Sequence, residues 1–400
     1  MKIPAMLLML LAFSACSLKN TATINREELF RLDIGRMEDQ IALYNLEEDA
    51  GVFPAQVAMS DGLVYLSDAK GQKMLRYNSY GDLLFMIYND MTNPAPLTAR
   101  EKSDTKTITR WSWTYPFIKP GHIAVDDRKH IYIEDRYPID RYGIDPESNA
   151  VLDGVILHFD EEGNFVEYLG QEGLGGRPFP RIVNLYTSIN NELAVICYLP
   201  TGWNIYWYSP DGLLRYLIKL GSDAVPVTDD RDMVFASLDS FAVAPDARKV
   251  YILVNYYRNA FDESTNTKTG TEPDSACIWI MDVETGMYTQ TVEVPFYEKT
   301  ITQNKQRSSE KMFYSLMGAA QSNRLFLSFP EEQGYALMIL SLDSYEQKHS
   351  FIQVYDDEMQ FQVFTVSPEG IISALLLNES IAKIVWWRSD MLFESENIHW

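Results

Sequence analysis

Cysteine and histidine are scarce in this sequence, with three and five residues among 400. No Cys-x-x-Cys, His-Glu-x-x-His, Gly-x-Ser-x-Gly or phosphate-binding glycine loop is present, which excludes the enzyme and metal-site classes that these motifs define. Cys197 and Cys277 lie in apolar runs and are predicted to be small buried residues, with a disulfide as the alternative. His122 and His158 lie on predicted strands, where we expect a structural role.

Basic residues are also few relative to acidic ones. The chain has 34 Lys and Arg against 56 Asp and Glu, so its formal net charge is −22 at pH 7. Such a charge repels phosphate backbones over most of the surface, and we therefore expect no nucleic-acid partner. Apolar residues make up 46% and aromatic residues 13% of the chain, which excludes disorder as its main state.

Long apolar runs are missing except at the N-terminus. There Lys2 precedes an apolar stretch too short to span a bilayer, and two small residues then lead to Cys16, as in a secretory signal. The sequence around Cys16 resembles the lipobox of bacterial lipoproteins. Phe13, where many lipoboxes have Leu, resembles the relaxed form in spirochaete lipoproteins. The resemblance implies lipidation of Cys16; ordinary signal cleavage is the alternative.

These features predict three segments: a signal peptide (residues 1–15), a lipidated tether (16–26) and one folded domain (27–400). A lipid-anchored chain of this kind is expected in the cell envelope, on the outer membrane or on the periplasmic face of the inner membrane. The membrane is then a partner through the N-terminal lipid.

The folded part contains a weak internal repeat. A copy has a short strand, two alternating apolar strands, a tight turn and a further strand, and the turns of the last two copies have decayed. The copies are centred on residues 62–88, 130–169, 193–218, 250–294, 324–343 and 371–388. Six four-stranded antiparallel units with almost no amphipathic helix between them predict an all-β fold, a six-bladed β-propeller.

Val or Ile followed by Ala precedes a turn and then a Tyr flanked by aliphatic residues, best at residues 57–66 and 123–133. This pattern resembles NHL-repeat and TolB-like six-bladed propellers over residues 56–400. With the lipobox and residues 33–40, the chain resembles a spirochaete lipoprotein family of unassigned function. Residues 28–34 alternate like a strand and are predicted to close the ring as the outer strand of the last blade; residues 391–398 are the alternative.

The predicted strand order places all long connections on one face, because crossovers between blades and the turns joining second to third strands emerge together. These connections are residues 90–120, 136–154, 171–181, 221–239, 256–275 and 296–312. Long loops on a rigid scaffold commonly carry function. Residues 258–275 are predicted to be a mobile excursion, and the basic residues of 299–311 to be a solvated charge run or a site for an acidic partner.

Tyr, Trp and Arg dominate binding hot spots, and these loops contain many of them. The predicted binding residues are Trp111, Trp113, Tyr115, Arg136, Tyr137, Arg141, Tyr142, Arg177, Tyr257 and Arg258. The structural alternative is that Trp111 and Trp113 plug the channel mouth and that Asp and Arg pairs clamp the loops.

The sequence thus predicts an envelope lipoprotein that binds a protein partner through the long-loop face, rather than an enzyme. The first alternative is a binder of glycans or small molecules that uses Trp111, Trp113 and Tyr115. The second is a lactonase-like, metal-dependent hydrolase, which the fold resemblance implies but no residue set supports. No cofactor is expected; Asp126–Asp127 and residues 229–232 offer carboxylates to Ca²⁺ without the spacing of a loop site.

Overall fold

A computed structural model describes residues 24–43, 54–97, 110–221, 225–227, 234–262, 264–303, 306–378 and 380–394. Cys16 and residues 229–232 lie outside these ranges. Among the described residues, no helix has the length and apolar character needed to cross a membrane.

The chain folds into six antiparallel sheets that follow one another along the sequence, as blades 1 to 6 of a β-propeller. In each blade, strands A to D run from the centre outward. Blades 1 to 3 comprise Ala55–Ser60, Leu63–Asp68, Lys73–Tyr77 and Leu83–Tyr88; Ile123–Val125, Ile131–Arg136, Gly154–Phe159 and Phe165–Gly170; and Arg181–Ser188, Glu192–Leu199, Gly202–Tyr208 and Leu214–Gly221. Blades 4 to 6 comprise Val234–Val243, Lys249–Phe261, Lys268–Asp282 and Met287–Val294; Ser315–Ala320, Arg324–Glu331, Gly334–Ser341 and Gln347–Gln353; and Phe361–Val366, Ile372–Leu377, Ile381–Trp387 and Arg26–Ile34.

Several smaller elements are added to this ring. Gln40–Ile41, Trp111–Thr114 and Gly173–Leu174 add edge strands to blades 6, 1 and 2, and two separate hairpins pair Gly143–Ile144 with Val151–Leu152 and Tyr297–Gln303 with Gln306–Met312. Single turns of 3₁₀ helix lie at Ile139–Arg141, Ile189–Asn191 and Asp356–Glu358, and a short α-helix at Met391–Glu394.

The N-terminal strand closes the ring, as predicted. Arg26–Ile34 pairs antiparallel with strand C of blade 6, with Arg26 opposite Trp387 and Asp33 opposite Ile381. The alternative closure is wrong over Met391–Glu394, which is helical. At the C–D turn of blade 1, Gly81 (φ 85°) packs on this strand so closely that a Cβ would lie 2.7 Å from Phe30 Cβ. A side chain at residue 81 would push this turn away from the closing strand.

The hydrophobic core consists of six clusters, one between each pair of neighbouring blades. Both faces of every sheet are therefore buried, and Ile372–Leu377 is buried at every position. This packing explains why many strands carry consecutive apolar residues instead of a simple alternation.

The A–B and C–D connections are short, and the long connections emerge on the opposite face, which we call the long-loop face. Three of the long connections are more ordered than predicted. Trp111–Thr114 is a strand, strands B and C of blade 4 extend to Phe261 and from Lys268, and the basic segment forms a hairpin. The predictions of a loop at residues 111–114 and of a mobile excursion over residues 258–275 are therefore wrong for these strands, because backbone pairing with a neighbouring strand outweighs the local composition.

Candidate binding sites on the long-loop face

The B–C connection of blade 2, residues 137–153, presents four exposed apolar side chains on this face. A 3₁₀ turn leads into its hairpin, in which Ile144 pairs with Val151. Ile139, Ile144 and Val151 are 83%, 70% and 55% exposed, and Tyr142 is 41% exposed. We call these four residues the apolar tip.

Local hydrogen bonds hold the hairpin at its turn and at its base. Asp145 accepts bonds from the backbone N–H and the hydroxyl of Ser148, at 2.8 and 2.6 Å, and these bonds lower the pKa of the Asp145 carboxyl. At the base, Leu152 is buried and the N–H of Tyr137 donates to the carbonyl of Asp153. The apolar tip is therefore presented on a braced element.

Arg136 fastens the same connection to the blade. Its guanidinium pairs with Glu134 at 3.2 Å and with Asp153. Glu134 also bonds to Nδ1 of His122 at 2.5 Å. Burial raises the pKa of Glu134, but bonding to His122 and the charge of Arg136 outweigh it, so the net pKa is lowered. Arg136 thus clamps this loop to the blade, which is the structural alternative given above for the Asp and Arg pairs.

The aromatic residues at positions 111–115 lie elsewhere. Trp111 and Trp113 pair in parallel with Phe85 and Ile87 on strand D of blade 1, at the outer edge of the blade. The indole N–H of Trp113 donates to the carbonyl of Glu162 at 2.8 Å, and Tyr115 packs edge-on against Phe159. These residues join blade 1 to blade 2 at their outer strands, so the expectation that Trp111 and Trp113 plug the channel mouth is wrong.

The other predicted binding residues are distributed over blades 2 and 4. Tyr137 contacts Tyr168, and Arg177 pairs with Glu172. Tyr257 contacts Phe313 and Arg258 pairs with Glu272. Arg136, Tyr137, Arg141 and Tyr142 lie together at the start of the B–C connection of blade 2.

Two cavities open beside the blade 2 connection. The first, about 420 Å³, lies between blades 1 and 2 and is lined by Arg36, Ala69, Lys70, Gln72, Thr92, Ile118, Lys119, Arg136 and Tyr142; we call it the cationic cavity. The second, about 360 Å³, lies between blades 2 and 3, and Gln171, Arg177, Trp203, Asn204 and Lys219 are among its lining residues. Sequence reasoning missed Arg36, Lys119 and Trp203, since each lies outside the aromatic and Arg-rich loops that it singled out.

The central channel is lined by the A strands. A cavity of about 280 Å³ there is lined mainly by apolar residues, with Gln56, His122 and Asn184 among its polar side chains. The Asn184 amide donates to the hydroxyl of Tyr186, which donates to the carbonyl of Phe241. Asp126 of the predicted carboxylate pair bonds to Arg128. Within the described ranges, no group of three or more His, Cys, Asp or Glu side chains is arranged to hold a metal ion.

Blade 2 also contains a chain of hydrogen-bonded titratable groups that spacing alone does not reveal. His130 Nδ1 lies 2.8 Å from His158 Nε2, and His158 Nδ1 lies 3.1 Å from the Glu167 carboxylate. The His158 ring stacks on Tyr132 with centroids 4.5 Å apart. Burial, followed by the charge of His130, lowers the pKa of His158 from 6.5 to about 4. His158 is therefore neutral at physiological pH, as its predicted structural role requires.

This shift predicts a pH-dependent stability. Between pH 6.5 and about 4 the unfolded chain binds a proton at His158 that the folded protein does not, so the free energy of unfolding falls as the pH falls through this window. Urea unfolding of wild type and His158→Phe at pH 7.5 and 4.5 measures the effect. We expect a smaller loss on acidification in the variant; an equal loss in both proteins would contradict the assignment.

Comparison with known proteins identifies no family. No family model matches the chain, and no curated protein is similar in sequence. Among solved structures, a gluconolactonase from Xanthomonas campestris has 11% identity and a TM-score of 0.42, covering 92% of this chain and 97% of its own. The propeller domain of the trilobed protease from Pyrococcus furiosus has 10% identity and a TM-score of 0.40, covering 84% and 94%. These likenesses concern the fold alone.

Proposed function

We propose that this propeller is a lipid-anchored envelope protein that binds a protein partner through its long-loop face. The observation that carries the proposal is the apolar tip, because four large apolar side chains lie exposed on one braced connection. Exposed apolar residues that cluster in this way are typical of interaction surfaces, whereas single exposed apolar residues are common on any protein.

Charge indicates what kind of partner fits. Within residues 137–153, Asp140, Asp145, Glu147 and Asp153 outnumber the single cation Arg141, and only Asp153 of these four pairs with Arg136. The whole chain is also strongly acidic. The complementary surface is therefore an apolar patch with a basic rim, since opposite potentials accelerate encounter and disfavour wrong partners.

The path of the chain before the closing strand also supports binding by the long-loop face. Arg26 begins the closing strand opposite Trp387, where strand C ends, and this end of the blade lies on the short-turn face. The buried Ile24 packs with Trp387 in the core between blades 5 and 6. A lipid on Cys16 would thus hold the short-turn face toward the membrane and leave the long-loop face directed away from it.

Photo-cross-linking from two positions tests the proposal. A benzoylphenylalanine replaces Ile144 at the apolar tip, or Tyr80, which is 86% exposed on the short-turn face beside the closing strand. In intact envelopes we expect protein adducts from residue 144 and lipid adducts from residue 80. The Cys16→Ser form should lose the lipid adducts.

Each arm has an outcome that contradicts its part of the proposal. Protein capture from residue 80 but not from residue 144 would overturn binding by the long-loop face. Lipid adducts at residue 80 that persist in Cys16→Ser would overturn anchoring through that cysteine.

A further inference from the structure

We propose that the cationic cavity binds a small organic phosphate of about the size of a sugar phosphate. This activity goes beyond the protein binding proposed above and does not depend on it. The sign of the charge in this cavity is opposite to that of the protein as a whole.

The lining residues show this reversal. Arg36, Lys70, Lys119 and Arg136 contribute four cations, and the described lining contains no Asp or Glu. The chain as a whole has 56 acidic residues against 34 basic ones. Because an acidic surface repels anions, a cavity that concentrates cations on it provides a local site where an anion is attracted.

Arg36 and Lys119 form no ion pair with another described residue, so their positive charge is available to a ligand in the cavity. Arg36 donates to the carbonyl of Thr92 at 2.7 Å, an acceptor without net charge. Lys119 is exposed at the cavity. Arg136 is already paired with Glu134 and Asp153, which neutralise its charge. It therefore offers a ligand a hydrogen-bond donor and little net charge. Arg and Lys together match the charge and the oxygen geometry of a phosphate dianion.

Hydrogen bonds fix the backbone that carries these groups. Gln72 donates to the carbonyl of Ile118 at 2.7 Å and accepts from the hydroxyl of Thr92 at 2.7 Å. The buried carboxylate of Asp135 accepts the N–H of Lys119 at 2.6 Å. Segments from four separate connections are thereby held in one arrangement, which reduces the ordering cost of binding.

The size and the remaining walls indicate an organic ligand. The cavity volume of about 420 Å³ lies within the range of small-molecule sites and exceeds what inorganic phosphate fills. Ala69, Ile118 and the ring of Tyr142 add apolar surface beside the cations. A phosphate group at the cations would place its carbon skeleton against these walls.

Isothermal titration calorimetry with glucose 6-phosphate, inorganic phosphate and glucose tests the proposal. We expect saturable binding of glucose 6-phosphate, weaker binding of phosphate and none of glucose. Lys119→Ala and Arg36→Ala should each weaken glucose 6-phosphate binding about tenfold, because each removes a charge-assisted hydrogen bond. Lys219→Ala is the matched control: Lys219 lines the neighbouring cavity, and its loss should leave the affinity unchanged.

Thermal melts of the variants check that they remain folded, as their positions on the surface predict. Absence of saturable glucose 6-phosphate binding to the wild-type protein would overturn the proposal. So would equal losses in Lys119→Ala and Lys219→Ala, since these would reflect net charge and not the cavity. Equal affinities for glucose 6-phosphate and inorganic phosphate would overturn the assignment of an organic ligand.

Discussion

The Glu358→Ala variant is expected to lose about 3–5 kcal/mol of unfolding free energy, because it removes the buried carboxylate shared by two largely buried cations and leaves Lys383 with only the exposed Asp357, at 3.7 Å. The Glu358 side chain is 0% exposed, and those of Arg26 and Lys383 are each 12% exposed. Arg26 bonds to both carboxylate oxygens, at 2.7 and 2.8 Å, and Lys383 to one at 2.8 Å. The three groups belong to the closing strand, strand C of blade 6 and the crossover into that blade.

This cluster stabilises ring closure, because it joins the closing strand to the rest of blade 6. Glu358 also accepts the N–H of Tyr355, whose ring lies under the Arg26 guanidinium at 4.4 Å. Loss of the carboxylate therefore weakens the attachment of the N-terminal strand and removes the buried partner of both cations.

Chemical denaturation of two variants and a control measures the effect. Glu358→Gln preserves the size of the side chain, so a loss of similar magnitude there assigns the effect to charge. Glu346→Ala removes a carboxylate that is 51% exposed and 3.9 Å from Lys348, and should cost at most about 1 kcal/mol. A change of less than about 1 kcal/mol in Glu358→Ala would contradict a role for the cluster in closure.

The fold was predictable because local patterns define each blade. Alternating apolar strands separated by tight turns recur six times, and blade 5 keeps its strands Arg324–Glu331 and Gly334–Ser341 although its turns lack a clear motif. Closure by Arg26–Ile34 was also predictable, since a ring without it leaves a sheet edge exposed.

The remaining features depend on partners that are distant in sequence. Trp111–Thr114 becomes a strand because it pairs with Leu83–Tyr88, across a connection whose composition resembles a loop. The His130, His158 and Glu167 chain forms across three segments of one sheet. No local sequence pattern predicts these contacts, because they form only when the folded blades bring distant segments into register.

The candidate sites show the same division between local and long-range information. The segment containing Arg136 and Tyr142 was predicted as a binding element, and both residues line the cationic cavity. Arg36 and Lys119 reach that cavity from crossovers into blades 1 and 2. Single cations in such crossovers have no distinctive spacing, so only the arrangement of the blades brings them together.

Removal of the closing strand is expected to abolish cooperative folding. A chain that begins at Gly35 lacks the buried side chains of Ile24, Phe30 and Leu32. Each large apolar side chain removed from a core costs about 2–5 kcal/mol, and the sum reaches the total stability of a typical domain. The truncation also exposes the edge of Ile381–Trp387, which invites aggregation.

A chain that begins at Ile24 is the matched control, because it keeps the whole closing strand and should melt as the full-length protein does. Circular dichroism melts compare the two truncations, and a synthetic peptide of residues 24–36 is then added to the shorter one. The strand pairs along its length with Ile381–Trp387. Phe30 and Leu32 enter one core, and the preceding Ile24 enters the other, so the peptide should restore a cooperative transition. A cooperative melt of the shorter chain within a few degrees of the control would show that blade 6 is stable without its outer strand.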